Sequence, residues 1–321
     1  MGISRRDFLK VSAGGGLLLA SALSPWPAQA REPRARLPEA VGILYDATVC
    51  IGCKACMAAC KEYNNLPPDL STPDSIWDNP VDLSAKTYNI VKLYQNGTGQ
   101  VKDREIDGYS FIRRFCMNCV DPACISACPV SALTKDPNTG AVVYNKDYCI
   151  GCRYCQVACP YNIPKFQWDQ AFPQIKKCQL CSHRLARGDY PACCEFCPNA
   201  ASIFGNVQDL RKEARRRLSL KVGTVAPYPL HRVDSREVRH RLVTPYQNYI
   251  YGEKDGGGTQ VLMLAGVPFT KLGLPALPEE STASASETLM HTLYKGMIVP
   301  YVVLGGLFYL VYKNTTKQDL P

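Results

Sequence analysis

The chain has 321 residues, of which 46% are hydrophobic and 20% charged, and its formal net charge is +9. The composition excludes a globally disordered chain, and the length is sufficient to bury a sizeable core. The seventeen cysteines are the most informative count. They fall below the density of a disulfide scaffold, which exceeds about 8–10% cysteine, so their spacing has to explain them.

The N-terminus has the three parts of an export signal. The basic start SRRDFLK (4–10) is followed by an uncharged stretch at 11–23 and by AQA at 28–30. This order predicts a signal peptide over residues 1–30. The SRRxFLK pattern resembles a twin-arginine (Tat) signal, and an ordinary Sec signal is the alternative. We therefore expect the mature protein on the periplasmic side of the inner (cytoplasmic) membrane.

The cysteines fall into four groups with related spacing. The groups are Cys50, Cys53, Cys56 and Cys60; Cys116, Cys119, Cys124 and Cys128; Cys149, Cys152, Cys155 and Cys159; and Cys178, Cys181, the adjacent pair Cys193 and Cys194, and Cys197. Groups one and three are near repeats, CIGCKACMAAC (50–60) and CIGCRYCQVAC (149–159). Such a repeat indicates duplicated structural units.

The C-x2-C-x2-C-x3-C spacing is the signature of bacterial ferredoxins. Three closely spaced thiolates can surround one [4Fe–4S] cluster, while the fourth points to a neighbouring cluster. Two such pairs of clusters would use sixteen of the seventeen cysteines. Disulfides and zinc are the alternatives. Cysteines three residues apart are poor candidates for bridging each other, and zinc does not explain the third and fourth cysteines of a group.

The segments around the cysteines favour a ferredoxin-like fold. Strand-like sequences lead into three groups, at 42–50, 109–116 and 141–149. Residues 130–140 and 199–210 read as a short helix or turn that feeds a strand. We predict an α+β fold of two pseudo-symmetric bacterial ferredoxin-like 2[4Fe–4S] units with insertions, in a domain over 31–219. Groups two and three form the inner pair, because they are close in sequence.

The adjacent cysteines leave one ligand choice within group four. Groups one to three all end in a cysteine, three residues and a final cysteine. Cys193 repeats that ending with Cys197, whereas Cys194 would leave only two residues between. We therefore predict that Cys193 is the ligand and that Cys194 is a small buried hydrophobic residue beside a cluster.

The rest of the central region carries no catalytic pattern. The basic run RKEARRR (211–217), flanked by leucines at helical spacing, predicts the solvated face of a surface helix. Nucleic acid is not an expected partner, since no aromatic stacking platform accompanies it. There is no phosphate loop or nucleophile–base order, and iron saturated with thiolates has no open position for a substrate. We expect a chain that is not an enzyme on its own, with a catalytic iron–sulfur enzyme as the alternative.

The C-terminal part predicts a linker and an anchor. Residues 220–290 contain GGG (256–258) and PALPEESTASASE (275–287), which are typical of loops, so we expect an extended partner-binding segment and linker. Seventeen uncharged residues lie between Lys295 and Lys313. As a helix they would span about 26 Å, close to the hydrocarbon core of about 30 Å. We predict a single transmembrane anchor over 293–313; a buried core helix is the alternative.

Four cysteine groups in this order resemble the electron-transfer (iron–sulfur) subunits of the dimethyl sulfoxide reductase family, which serve molybdenum enzymes, formate dehydrogenases and some hydrogenases. Within that family the chain is most similar to the HybA-type subunits of membrane-bound [NiFe] hydrogenases. The narrower resemblance is carried by the leader, GILYDATVCIGCKAC (42–56), GCRYCQVACPYNIPK (151–165), YGEKDGGGTQVLMLAGVPF (251–269) and HTLYKGM (291–297).

The resemblance implies four [4Fe–4S] clusters, each held by cysteines of two groups. The implied ligand sets are Cys50, Cys53, Cys56 and Cys197; Cys60, Cys178, Cys181 and Cys193; Cys116, Cys119, Cys124 and Cys159; and Cys128, Cys149, Cys152 and Cys155. One departure is Lys61, which stands where the family pattern has proline. The spacing before it is intact, so Cys60 remains a predicted ligand.

The resemblance also implies a relay function. Electrons would pass between the small and large subunits of a [NiFe] hydrogenase and an integral membrane, quinone-reactive subunit, in either direction. The alternative in the same class is the equivalent beta subunit of a formate dehydrogenase or molybdopterin reductase. A structural or binding protein that uses zinc or disulfides is the alternative from another class, and iron analysis distinguishes it.

Overall fold

The computed structural model describes residues 32–315, apart from the side chains at positions 285, 288–300, 302 and 314. The predicted signal peptide over 1–30 lies outside these residues. The described chain separates into a compact unit, Pro33–Ser286, and a second unit that begins at Glu287. All seventeen cysteines lie in the compact unit.

Short strands and short helices alternate along the compact unit, which confirms the mixed α and β class. The strands are β1 (Val41–Asp46), β2 (Asn89–Gln95), β3 (Val101–Lys102), β4 (Gly108–Phe115), β5 (Leu133–Lys135), β6 (Val142–Tyr144), β7 (Lys165–Phe166), β8 (Ile175–Lys176), β9 (Ser202–Asn206), β10 (Val225–Pro229), β11 (Val238–Leu242) and β12 (Val261–Leu264). The α-helices are α1 (Ala55–Tyr63), α2 (Ala123–Ser126), α3 (Tyr154–Ala158), α4 (Ser182–Leu185), α5 (Ala192–Glu195), α6 (Val207–Leu218) and α7 (Ala283–Thr315).

A three-stranded sheet, here called the central sheet, has the order β12–β1–β9. β1 pairs parallel with β12, where Ile43 lies opposite Val261, and antiparallel with β9. Every residue of β12 is buried, as a continuous apolar strand requires. Gly42 permits the close packing here, because a Cβ atom at this position would lie 1.9 Å from the Gln260 carbonyl oxygen.

Helix α6 packs against this sheet and differs from the predicted solvated helix. Lys212 and Arg215 are exposed, as expected for a surface helix. Arg217, however, is fully buried, and its guanidinium pairs with Asp46 at 2.9 Å and with Glu213 at 2.8 Å. The basic run is therefore partly structural, since one of its charges ties the helix to β1.

The duplication predicted around groups one and three is present in the backbone. β1 and β6 each lead into a 3-10 turn whose N-cap side chain, Asp46 or Asn145, accepts a hydrogen bond from the backbone two residues on. Each turn ends at the first cysteine of its group. A residue with left-handed backbone then precedes the helix, Lys54 (φ 59°) before α1 and Arg153 (φ 64°) before α3.

Strands β2 to β8 form three small sheets. β2 and β4 form an antiparallel pair, and β3 runs parallel to the start of β4. Two small antiparallel pairs, β5 with β6 and β7 with β8, lie near groups two and three in the chain. The strand-like segments at 42–50, 109–116 and 141–149 thus correspond to β1, β4 and β6, although β6 is shorter than its segment.

The structure folds much of the segment 220–290 back into the compact unit. β10 and β11 form an antiparallel hairpin, and β12 joins the central sheet. The loop signals at 256–258 do mark a turn, a 3-10 segment over Asp255–Gly257. The apolar run that follows pairs with β1, more than 200 residues earlier, which local loop signals do not reveal. Contact of this segment with a partner stays a prediction.

The predicted anchor at 293–313 lies within helix α7. Its side chains at 293–300 and 302 are outside the described set. Among the residues that the structure describes, no helix combines the length and the apolar character needed to cross a membrane. The anchor stays a prediction.

Candidate iron–sulfur centres

The structure brings the four predicted ligand sets together at four places. We name them site A (Cys50, Cys53, Cys56, Cys197), site B (Cys60, Cys178, Cys181, Cys193), site C (Cys116, Cys119, Cys124, Cys159) and site D (Cys128, Cys149, Cys152, Cys155). In sites A, B and D the four cysteines line a common cavity. In site C, burial raises the pKa of the Cys119 thiol, and the other three thiolates of the set raise it further. Each site therefore joins three cysteines of one group to one cysteine of another.

The donor sets suit [4Fe–4S] clusters. All seventeen cysteines are free, so no disulfide consumes a predicted ligand. No group of three or more His, Cys, Asp or Glu residues within 32–315 is arranged to hold a single metal ion. Four soft thiols that are not arranged around a single ion fit a cluster better than one zinc ion. The residue-by-residue ligand assignment stays a prediction.

The loops between the cysteines turn backbone donors towards sulfur. The Gly52 amide donates to Cys50 Sγ at 3.5 Å, and the Ala132 amide donates to Cys128 Sγ at 3.2 Å. Gly52 has a φ of +67°, a left-handed conformation that glycine adopts without steric cost. Such donors stabilise negative charge on a thiolate or on a bound cluster.

Electrostatic interactions between thiols link the four sites in the series A, B, C, D, which we call the row. Where two neighbouring sites meet, burial is the main cause that raises the pKa of a thiol in one site. A thiolate of the other site raises the same pKa further. The pairs that join neighbouring sites are Cys56 with Cys193, Cys178 with Cys116, and Cys124 with Cys155. Sites A and D therefore lie at the two ends, and B and C between them.

Burial also decides the protonation state of some of the predicted ligands before a metal binds. It raises the pKa of Cys50 to about 11 and that of Cys155 to about 12. At neutral pH these thiols hold their protons until a metal displaces them, because the thiolate is the form that binds. Cluster binding therefore releases protons and stabilises the compact unit.

The adjacent cysteines occupy different environments. Cys193 lines the cavity of site B, and a hydrogen bond from Cys194 together with Arg113 lowers its pKa to about 6 against the effect of burial. Cys194 is fully buried, and burial followed by the Cys193 thiolate raises its pKa. Cys194 is absent from the linings of cavities A, B and D. These environments support the predicted choice of Cys193.

Three polar side chains near the sites were not predicted from the sequence. Arg113 Nη2 lies 2.9 Å from Cys193 Sγ, and Asn64 Nδ2 lies 3.7 Å from Cys60 Sγ. Lys177 Nζ lies 3.9 Å from Cys116 Sγ. The signal that could have revealed Arg113 is a charged residue within the apolar strand segment YSFIRRFC (109–116).

Comparison with known families identifies the class of protein. Two models described as "4Fe-4S dicluster domain" match the chain, one over residues 42–129 and the other over 108–207. Together these ranges contain every cysteine of sites A to D. The fold and the sites thus define an iron–sulfur protein with two ferredoxin-like dicluster domains, and its cysteines accommodate four [4Fe–4S] clusters.

Individual relatives place the chain more closely. It is 47% identical to "Hydrogenase-2 operon protein HybA" of Escherichia coli O157:H7, over 99% of this chain and 97% of that protein. It is 32% identical to the "Formate dehydrogenase-O iron-sulfur subunit" of Escherichia coli K12, over 95% and 88%. It is 30% identical to the "Formate dehydrogenase iron-sulfur subunit" of Haemophilus influenzae, over 99% of this chain and 92% of that protein. The chain belongs to the HybA family of iron–sulfur proteins, which confirms the resemblance predicted from the sequence.

Proposed function

We propose that this chain relays electrons one at a time between the small and large subunits of a [NiFe] hydrogenase and an integral membrane, quinone-reactive subunit. The observation that carries the proposal is the row of four neighbouring four-thiol sites. When bound, a [4Fe–4S] cluster supplies reversible one-electron chemistry. The chain's own residues would hold the sites close together and exclude water from the inner ones.

The ends of the row support two partners. Ile51 beside site A is 50% exposed, and Ile150 beside site D is 65% exposed, and each lines the cavity of its site. Leu180, which lines the cavity of the inner site B, is fully buried. Partners that meet the two ends would exchange electrons with sites A and D, which is the arrangement a relay needs.

The chain's place in the cell is part of the same proposal. The twin-arginine pattern in the leader supports export to the periplasmic side of the inner membrane, where one C-terminal helix would anchor the protein. Replacement of the twin arginines (Arg5→Lys with Arg6→Lys) should leave the chain in the cytoplasm if the Tat route is used. Export of that variant at the normal level would favour the Sec alternative.

A direct test uses membranes that contain the whole complex. We expect Cys119→Ser to abolish hydrogen-dependent quinone reduction, while hydrogen-dependent reduction of an artificial dye by the catalytic subunits is retained. Cys194→Ala serves as the matched control and should retain both activities. Retention of quinone reduction by Cys119→Ser would contradict the relay.

A beta subunit of a formate dehydrogenase or molybdopterin reductase is the second candidate, supported by relatives at 30–32% identity. The chain should co-purify with nickel-binding subunits under the first proposal and with a pterin-containing subunit under the second. The 47% identity to a hydrogenase-2 operon protein favours the first.

A further inference from the structure

Arg113 is a buried cation in direct contact with a predicted cluster ligand. It lies in β4, is 1% exposed, and stacks over the Phe115 ring at 3.7 Å. Its Nη2 donates to Cys193 Sγ of site B at 2.9 Å. A guanidinium keeps its positive charge at every accessible pH, so the charge on this sulfur contact is permanent.

The other hydrogen bonds of Arg113 hold it between sites A and B. Its Nε donates to Asn89 Oδ1 at 2.7 Å, and its Nη1 donates to Ser202 Oγ at 2.8 Å. Asn89 in turn donates to the Cys56 carbonyl oxygen at 2.9 Å, and Ser202 lines the cavity of site A. The side chain is therefore fixed in one orientation, with its Nη2 aimed at site B.

Among the residues that the structure describes, no carboxylate forms an ion pair or a hydrogen bond with Arg113. Its three hydrogen-bond acceptors are an amide, a hydroxyl and a cysteine sulfur. The other two buried arginines do pair with carboxylates, Arg217 with Asp46 and Glu213, and Arg184 with Glu195. The positive charge of Arg113 therefore acts on the neighbouring thiols without a carboxylate to neutralise it. Water screens charges only weakly in this buried region.

Site B also receives a second side-chain donor. Asn64 Nδ2 lies 3.7 Å from Cys60 Sγ. Side-chain donors also reach site A, where Tyr45 bonds to Cys50, and site D, where Tyr144 bonds to Cys149. The cation contact at site B is closer than that at site C, since Arg113 Nη2 lies 2.9 Å from Cys193 Sγ whereas Lys177 Nζ lies 3.9 Å from Cys116 Sγ. Positive charge and hydrogen bonds at the sulfurs stabilise the more negative, reduced form of a cluster.

We propose that Arg113 is a positioning residue that raises the reduction potential of the cluster at site B. Reduction there adds one electron, breaks no bond and needs no proton, and the added negative charge lies beside the guanidinium. An opposite charge within about 4–6 Å shifts a protonation equilibrium by about ten- to thousandfold, and an added electron is the same kind of perturbation. The proposal rests on the assignment of site B, which iron analysis tests separately.

The experiment is a redox titration of the cluster-loaded full chain, followed by electron paramagnetic resonance. Arg113→Gln removes the charge and keeps a donor, and we expect the reduction equilibrium of one cluster to fall at least about tenfold, or about 59 mV for a one-electron couple. Arg113→Lys keeps the charge and should restore most of that loss. Arg114→Gln removes the same charge one residue along β4, where the described electrostatic partner is Asp82, and should shift no midpoint.

A second variant keeps the proposal testable if Arg113→Gln fails to load iron. Asn89→Asp places a carboxylate against Nε, which offsets the guanidinium without removing it, and should lower the same midpoint. The proposal is overturned if the loaded variants leave all midpoints unchanged, or if Arg114→Gln causes an equal shift. The titration needs no partner, so loss of the relay with normal midpoints would count against the proposed function and not against this role of Arg113.

Discussion

Substitution of the adjacent cysteines tests the ligand assignment at the point where the sequence offers a choice. Cys193 lines site B and accepts a hydrogen bond from Arg113 Nη2 at 2.9 Å. Cys194 is fully buried and is not among the residues that line cavities A, B or D. We expect Cys193→Ala to damage one cluster and Cys194→Ala to damage none.

The two substitutions should differ in their effects on iron content and on the free energy of unfolding. Cys193→Ala removes one of four thiols, so iron should fall from about sixteen to about twelve per chain if the cluster is lost, or to about fifteen if a three-iron cluster remains. It also leaves the Arg113 guanidinium buried without its sulfur partner, and breaking a buried charged contact costs about 3–5 kcal/mol. Cys194→Ala removes one buried sulfur, which should cost about 1–2 kcal/mol of unfolding free energy with iron unchanged.

The assay is iron and acid-labile sulfide per chain, together with the spectrum of the reduced protein. The double variant Cys193→Ala with Cys194→Ala removes any rescue by the neighbouring thiol, and its iron loss should at least equal that of Cys193→Ala. If Cys194→Ala lost iron and Cys193→Ala kept it, the ligand choice based on three residues between Cys193 and Cys197 would be refuted. Equal iron loss in both single variants would contradict the separate environments of Cys193 and Cys194.

Two further pairs of substitutions test the framework around the sites. Arg217→Met should lower the unfolding free energy by about 3–5 kcal/mol, because Asp46 and Glu213 would lose a fully buried partner; Arg215→Met, on a side chain 63% exposed, should change it by less than about 1 kcal/mol. Denaturant unfolding of the loaded protein measures both, and a loss below about 1 kcal/mol in Arg217→Met would contradict the structural role of that charge. Gly52→Ala should lose more iron than Gly151→Ala, since both glycines have positive φ but a Cβ atom at Gly52 would lie 2.5 Å from the Phe111 ring and one at Gly151 3.5 Å from Phe166. Equal iron contents in the two glycine variants would argue against the tight packing of site A.

Much of the site could be predicted from spacing alone. In each of groups one to three, the first three cysteines lie within nine residues of one another. The local chain geometry therefore brings them to one place. The strand segments before Cys50 and Cys149 were predictable for the same reason, since their apolar residues and the following glycine turn are local. The HybA resemblance extended this to the distant fourth ligands.

Other parts of the molecule depend on contacts that no local pattern encodes. The segment at 261–264 follows a glycine-rich turn and was interpreted as part of a linker, yet it pairs with β1 and is completely buried. Arg217 belongs to a basic run that is typical of a solvated helix, yet it is buried against Asp46, 171 residues away. In both cases tertiary burial overrides the local signal, because the partner that stabilises the residue lies far along the chain.

The sequence by itself determined the chemistry of this protein: soft thiolate donors in repeated groups and enough of them for four clusters. Its spacing also predicts Cys193, rather than Cys194, as a ligand. Only the tertiary structure decided the order of the sites in a row and the position of Arg113, which is 80 residues from the sulfur that it contacts. The physical reason is that ligand spacing acts within a few covalent bonds, whereas the order and the electrostatics of the sites depend on how distant loops pack together.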